Sequence, residues 1–149
     1  MDTKHIVLNH INDREEKLSH IAKEIWDHPQ IALDETFASS LLAKELEEDG
    51  FSIEWGAGQM PTAFVGTWGE GKPILGYLGE YDALPGLSQN VTTAIDPIEQ
   101  GGPGHGCGHN LFGTACIGSV MALKAAMEKE NIKGTIRFYA CPAEETLVG

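Results

Sequence analysis

Residues 102–124 read GPGHGCGHNLFGTACIGSVMALK, and the fold turns on how this stretch passes from loop to helix. Glycine or proline stands at 102, 103, 104, 106 and 108, with His105, Cys107 and His109 set between them. From Leu111 to Glu130 the pattern becomes helical. Its first half is apolar on nearly all sides, which predicts a helix inside the fold rather than on its surface. Asn110 is the expected N-cap. A backbone made permissive by glycine lets Cys107 and His109, two residues apart, aim at one spot. The buried helix would then pin the loop on a rigid support.

Outward from this stretch, Gly134–Cys141 (GTIRFYAC) is a β-rich run stopped by Pro142. Upstream, short extended segments are predicted at Ser52–Trp55, Thr62–Trp68 and Ile74–Glu80, punctuated by glycine and proline. Residues 85–106 lack periodicity, and a loop of that length inside a domain is usually functional or mobile. Nearer the N-terminus, Ile6, Ile11, Leu18, Ile21, Ala22, Ile25 and Trp26 recur at helical spacing. They predict one helix from His5 to Asp27, ended before Pro29. A second helix is predicted over Thr36–Asp49, with Phe37, Leu41, Leu42 and Leu46 on its buried stripe and Gly50 as its stop. Helices, strands, a buried helix and a further strand make an α/β sandwich.

Charge narrows the partners. The chain carries 22 acidic against 10 basic residues, a formal net charge of −12. No basic cluster is present to neutralise phosphates, so neither nucleic acid nor an anionic membrane surface is expected as a partner. The sequence has no run of 18 apolar residues and no apolar leader at its start, so no membrane span is expected. The cysteines number three, without a CxxC pair, which favours a reducing, cytoplasmic setting over a disulfide framework. The stretch GTWGEGKP at 66–73 approaches a phosphate-binding loop. Pro73 stands where Ser or Thr should open a helix, so a turn between strands is expected instead.

Two acidic stretches complete the candidate site. GEYDALPG places Glu80 and Asp82 at the end of an apolar strand, and CPAEET places Glu144 and Glu145 just past another. The carboxyl ends of strands are where α/β proteins build their sites. In a regular strand adjacent glutamates would point apart; in an irregular turn after Pro142 one can bind a metal while the other reaches a water. Taken singly, each stretch also reads as a solvated loop. Three acid- or ligand-bearing loops, each following a strand or preceding the buried helix, weigh against coincidence.

GEYDALPG, GHGCGHN and CPAEET, in this order, resemble the metal-dependent aminoacylase/carboxypeptidase-like amidohydrolases. HPQIALDETFASSLLAKELEEDGF at 28–51 resembles their aminobenzoyl-glutamate hydrolase and N-acyl amino acid hydrolase branch. The resemblance implies a three-layer α/β sandwich around a mixed sheet, two divalent metals (zinc or manganese) and hydrolysis of an amide bond. It implies Cys107, His109 and Glu145 as metal ligands and Glu144 as the general base that deprotonates the attacking water. Asp82 would orient a histidine ligand. Glu80 stands where relatives carry a histidine, and Asn110 where they often carry aspartate. His105 is read as loop structure or as a support to the ligands. Cys116 and Cys141 are read as small core residues.

The same resemblance makes residues 1–149 an N-terminal portion of the catalytic domain. Further ligands, the lid or dimerisation domain and the second half of that domain would lie in a longer parent. Activity on a small N-acyl amino acid or aminobenzoyl-glutamate substrate is expected in that parent. A catalytically inactive metal-binding fragment or association module is the alternative, and a metal-free domain with solvated acidic loops a third reading. An uncovered sheet edge would favour a homo-oligomer.

Overall fold

The computed structural model describes residues 2–148; Met1 and Gly149, the two ends of the expected domain portion, lie outside the described residues. The N-terminal apolar period does not give one helix but two, α1 (Thr3–Asn12) and α2 (Glu15–Asp27). At the break the Asp13 amide still bonds the Asn9 carbonyl at 2.8 Å, but Arg14 tightens onto Ile11 at 3.0 Å and leaves helical geometry (φ −112°, ψ 8°). The period runs through the break because both helices pack on one later helix, where Ile11 and Leu18 both close on Gly118.

Helix α3 covers Thr36–Glu48. Leu42 and Leu46 are buried as expected, alongside Ala38 and Ala43, whereas Phe37 leaves the core stripe and stacks on His28 at 4.2 Å. Gly50 ends the helix at φ +89°, so that the Phe51 amide reaches back to the Leu46 carbonyl at 3.0 Å.

Strands β1 (Ser52–Trp55), β2 (Phe64–Glu70) and β3 (Ile74–Glu80) follow, then α4 (His109–Glu130) and β4 (Gly134–Cys141). The sheet order is β1-β2-β4-β3, with β4 antiparallel to β2 and parallel to β3. This is the expected α/β architecture with a mixed sheet. The turn at 71–73 is not a hairpin, because β4 enters between the strands it joins. The Thr135 amide bonds the Pro73 carbonyl at 2.9 Å, and its hydroxyl bonds Gly71 at 2.8 Å. A strand, not a helix, follows that turn, as expected when the phosphate-loop reading was set aside.

The core lies between the sheet and the helices. Phe64, Ile136 and Phe138 meet Leu42 and Leu46 of α3, Ile117 and Val120 of α4, and Ile21 and Ile25 of α2. Helix α4 packs on β3 and β4 and is flanked by α1 and α2. Its approach to β3 is so close that a Cβ on Gly113 would lie 2.6 Å from the Glu80 carbonyl oxygen. By length and composition α4 would suffice to cross a membrane, but 56% of its apolar window is buried inside the fold, as in a core helix. It is not buried on every side: Leu111, Phe112, Ala115 and Ser119 form an exposed stripe. Ile74, Leu75 and Leu78 are exposed on β3, which is an edge of the sheet.

Candidate metal centre

Parallel pairing of β3 and β4 sets Glu80 opposite Cys141, so both strands end side by side. The residues that follow each strand therefore share one rim. Asp82 lies two residues past Glu80, and Glu144 and Glu145 sit in a single 3₁₀ turn past Pro142. Helix α4 begins at the same rim. Gly108 (φ +81°) turns the chain there, so His109 opens the helix and Cys107 precedes it. Asn110 is therefore not the cap. It lies inside the first turn, and its side-chain amide donates to the Ala22 carbonyl at 3.1 Å, tying α4 to α2.

His109 is the centre of the arrangement and is buried. Its Nδ1 is 2.9 Å from Asp82 Oδ1 and 3.2 Å from the Asp82 carbonyl. An ionised carboxylate only accepts, so Nδ1 donates. The other oxygen of Asp82 accepts from the Glu145 amide at 2.9 Å. Asp82, itself 1% exposed, thus fixes the imidazole and the glutamate turn together. With Nδ1 as donor, Nε2 presents its lone pair to Glu80 Oε2 at 3.1 Å and to Glu144 Oε2 at 3.9 Å. Acceptors facing one another at such range hold together through a shared cation, either a proton or a metal ion. Glu145 Oε1 lies 3.9 Å from Nδ1, buried and without a hydrogen-bond partner.

Two sets of side-chain atoms that could hold a metal ion converge: Cys107, His109 and Glu145 in one, Glu80, His109 and Glu144 in the other, each within 4.8 Å of one another. Among the described residues no Lys or Arg forms a salt bridge with Glu80, Asp82, Glu144 or Glu145. The strain of this crowding appears in Glu80, whose carboxyl is pushed above its ordinary range. Burial is the main cause and the neighbouring Glu144, Asp82 and Glu145 add to it, while His109 pulls the other way. The Cys107 thiol is likewise pushed up, by desolvation first and then by Glu145, Glu144 and Glu80. A thiol, an imidazole and carboxylates, with no Lys or Arg bridging the carboxylates among the described residues, form a donor set that suits borderline divalent cations.

The structure therefore brings Cys107, His109, Glu145, Glu144 and Asp82 together. His105 is elsewhere: its Nε2 contacts the Ile25 carbonyl at 3.1 Å, Nδ1 has no partner, and burial lowers its pKa to about 4. Cys116 and Cys141 give their thiols to the backbone carbonyls of Leu78 and Tyr139. Glu80, which the sequence placed at the strand end without a role, joins the second ligand set. Glu35 drew no attention in the sequence; it is fully buried and bonds to Ala143, beside the glutamate pair. An open pocket of about 590 Å³, lined by Trp26, Val91 and Leu111 among others, borders the site at Cys107.

No protein-family model matches the chain. Against curated proteins it is 44% identical over 134 residues to a p-aminobenzoyl-glutamate hydrolase component of Escherichia coli, covering 87% of this chain and 27% of that protein. It is 29% identical over 131 residues to the human Xaa-Arg dipeptidase, covering 79% of this chain and 26% of that one. Among solved structures, a dinuclear metal-binding peptidase of the M20 family from Bacillus subtilis superimposes with a TM-score of 0.77 at 26% identity, over 93% of this chain and 38% of that one. The chain spans about a quarter of the length of these two curated relatives. Over that shared portion the chain is similar in sequence to the p-aminobenzoyl-glutamate hydrolase component and in fold to the dinuclear metal-binding peptidase.

Proposed function

We propose that this chain supplies part of the catalytic centre of a metal-dependent amidohydrolase acting on N-acyl amino acids or on aminobenzoyl-glutamate-like compounds. The observation that carries the reading is the convergence of a thiol and several carboxylates on His109, whose Nε2 faces other acceptors with no Lys or Arg salt-bridged to them among the described residues. The orphaned, buried Glu145 Oε1 fits the same reading, since a buried carboxylate oxygen needs a partner. The likeness to a dinuclear metal-binding peptidase supports two metal ions; zinc or manganese is our assignment for them, on the mixed thiol, imidazole and carboxylate donors. When bound, such ions polarise a scissile carbonyl and make water a better nucleophile.

The chain's own residues divide the remaining work. Cys107, His109 and Glu145 hold metal, and Glu80 adds a carboxylate on the Nε2 side of His109. Asp82 orients His109 from behind and anchors the Glu145 amide. Glu144 has the most exposed side chain of these carboxylates, at 41%. It serves as the general base that takes a proton from the attacking water and passes it to the leaving amine. The apolar pocket beside Cys107 suits an acyl group. All cysteines of the chain are free, which supports a reducing, cytoplasmic setting. The exposed β3 edge supports self-association into a homo-oligomer.

The test uses the full-length protein, stripped by chelator and reloaded with zinc or manganese. Aminobenzoyl-glutamate and a panel of N-acyl amino acids are then assayed for amine release. Metal-restored hydrolysis is expected. A protein that binds neither metal, or that hydrolyses equally well without them, overturns the reading.

A further inference from the structure

We propose that Glu35 is a positioning residue of this site: a buried carboxylate that clamps the turn bearing Glu144 and Glu145 and couples it to the Asp82 end of β3. Glu35 stands just before α3 and is 0% exposed. Its Oε1 accepts from the Ala143 amide at 2.8 Å and from the Leu33 amide at 2.9 Å. Its Oε2 accepts from the Thr62 hydroxyl at 2.9 Å. A buried acid is costly unless its lone pairs are met, and here donors from three separate segments meet them.

Ala143 needs such a partner. It sits at φ +58°, a left-handed conformation that an L-residue adopts at a cost and keeps where its surroundings hold it. The next two residues in the chain are Glu144 and Glu145, so the angle at Ala143 sets where both carboxylates point. The contacts close into a ring. The Thr62 carbonyl accepts from the Tyr81 hydroxyl at 2.7 Å, Tyr81 precedes Asp82, and Asp82 accepts from the Glu145 amide. Glu35 therefore holds the glutamate turn directly and reaches the base of Asp82 through Thr62 and Tyr81. Hydrogen bonds to the groups that carry metal ligands commonly change metal affinity by about 10–100-fold.

This inference rests on the metal-centre reading for its consequence but not for its geometry, and the experiment separates the two. In the full-length protein, Glu35→Gln keeps one oxygen for both amides and turns its NH₂ to the Thr62 oxygen; Glu35→Ala removes every acceptor. Hydrogen exchange of the metal-free protein is followed over residues 142–148, with α4 and β4 as internal references. Cobalt(II) is then titrated, and its thiolate-to-metal absorption recorded. The glutamine variant should match the wild type in both. The alanine variant should lose roughly tenfold of its protection at 142–148 while α4 and β4 keep theirs, and should bind cobalt about 10–100-fold more weakly. If the alanine variant does not fold, Glu35→Asp, one methylene shorter and unable to reach Ala143, takes its place with the same expectation.

Wild-type exchange at 142–148 in the alanine or aspartate variant overturns the proposal. So does a loss of protection spread evenly over all segments, which marks a merely structural role. A glutamine variant as damaged as the alanine one overturns the hydrogen-bond account. If the wild type gives no cobalt absorption while the exchange pattern is as expected, the clamp stands and the metal reading falls.

Discussion

Asp82→Asn is the most discriminating single change at this site, because an amide matches the carboxylate in shape and fails it in hydrogen bonding. Asp82 receives two donors at 2.9 Å, His109 Nδ1–H on one oxygen and the Glu145 amide on the other. Asparagine has one acceptor and one donor, so it can keep one partner and must repel the other. If its oxygen stays with His109, its NH₂ faces the Glu145 N–H and the glutamate turn loses its anchor. If the amide flips, His109 must accept at Nδ1 and carry its proton on Nε2. That nitrogen faces Glu80 and Glu144 and is the one left for a metal. Either orientation forfeits part of the ligand set.

The magnitude follows from the burial of the pair. A buried donor left unsatisfied costs about 1–3 kcal/mol. At about 1.4 kcal/mol per decade this weakens metal binding by roughly 5- to 150-fold, which brackets the 10–100-fold commonly found when a ligand's hydrogen-bond partner is altered. Isothermal titration of chelator-treated protein with zinc or manganese measures it directly. A circular-dichroism melt of the apo form checks that the fold survives. An Asp82→Asn protein that binds metal as tightly as the wild type would refute the geometry on which the whole centre rests.

The other expectations concern neighbouring groups. Cys107→Ala combined with His109→Ala should remove metal, read as stoichiometry by plasma emission; unchanged metal content would exclude both as ligands. Glu144→Ala should lower turnover by about 10²–10⁴ with metal retained, whereas Glu145→Ala should lose metal as well; the opposite pattern would exchange their roles. His105, with a folded pKa of about 4 against 6.5 unfolded, should leave the fold at full stability above about pH 6.5 and cost it progressively as pH falls toward 4, because there the unfolded chain binds a proton that the folded chain refuses. Urea titrations of wild type and His105→Gln should differ by about 2–3 kcal/mol across that window, and parallel pH profiles for the two would assign the acid loss elsewhere.

What the sequence disclosed and what it hid differ in the range over which the physics acts. Strands β3 and β4 were legible to the residue, since each is an apolar run bounded by Gly or Pro and an acidic or Pro stop. Helix α4 was legible from its lack of a continuous polar face, and the glycine loop leading into it marked Cys107 and His109 as candidates. The break at Asp13–Arg14 was hidden, because both helices turn an apolar face to α4 and so keep one period across it. The entry of β4 between β2 and β3 was hidden too. Strand order is a long-range matter, and the turn at 71–73 looks locally like any hairpin. Asn110 was misplaced by its good capping chemistry, although Gly108 stood ready one residue before His109 to make the turn.

Glu35 is the sharpest instance. An acid just ahead of Thr36 and a helical stripe resembles a solvated helix start, because carboxylates favour the positive end of a helix. Its real partners lie 27 residues away at Thr62 and 108 away at Ala143. No window along the chain can contain such a pair. Ala143 gives no sign of it either: only the fold shows its φ of +58° and its amide donating to Glu35. Ligand residues, by contrast, announce themselves through their own chemistry. The same division explains why the candidate ligands stood out by type and spacing, while Glu35, which bonds the turn beside them, came to light only in the fold.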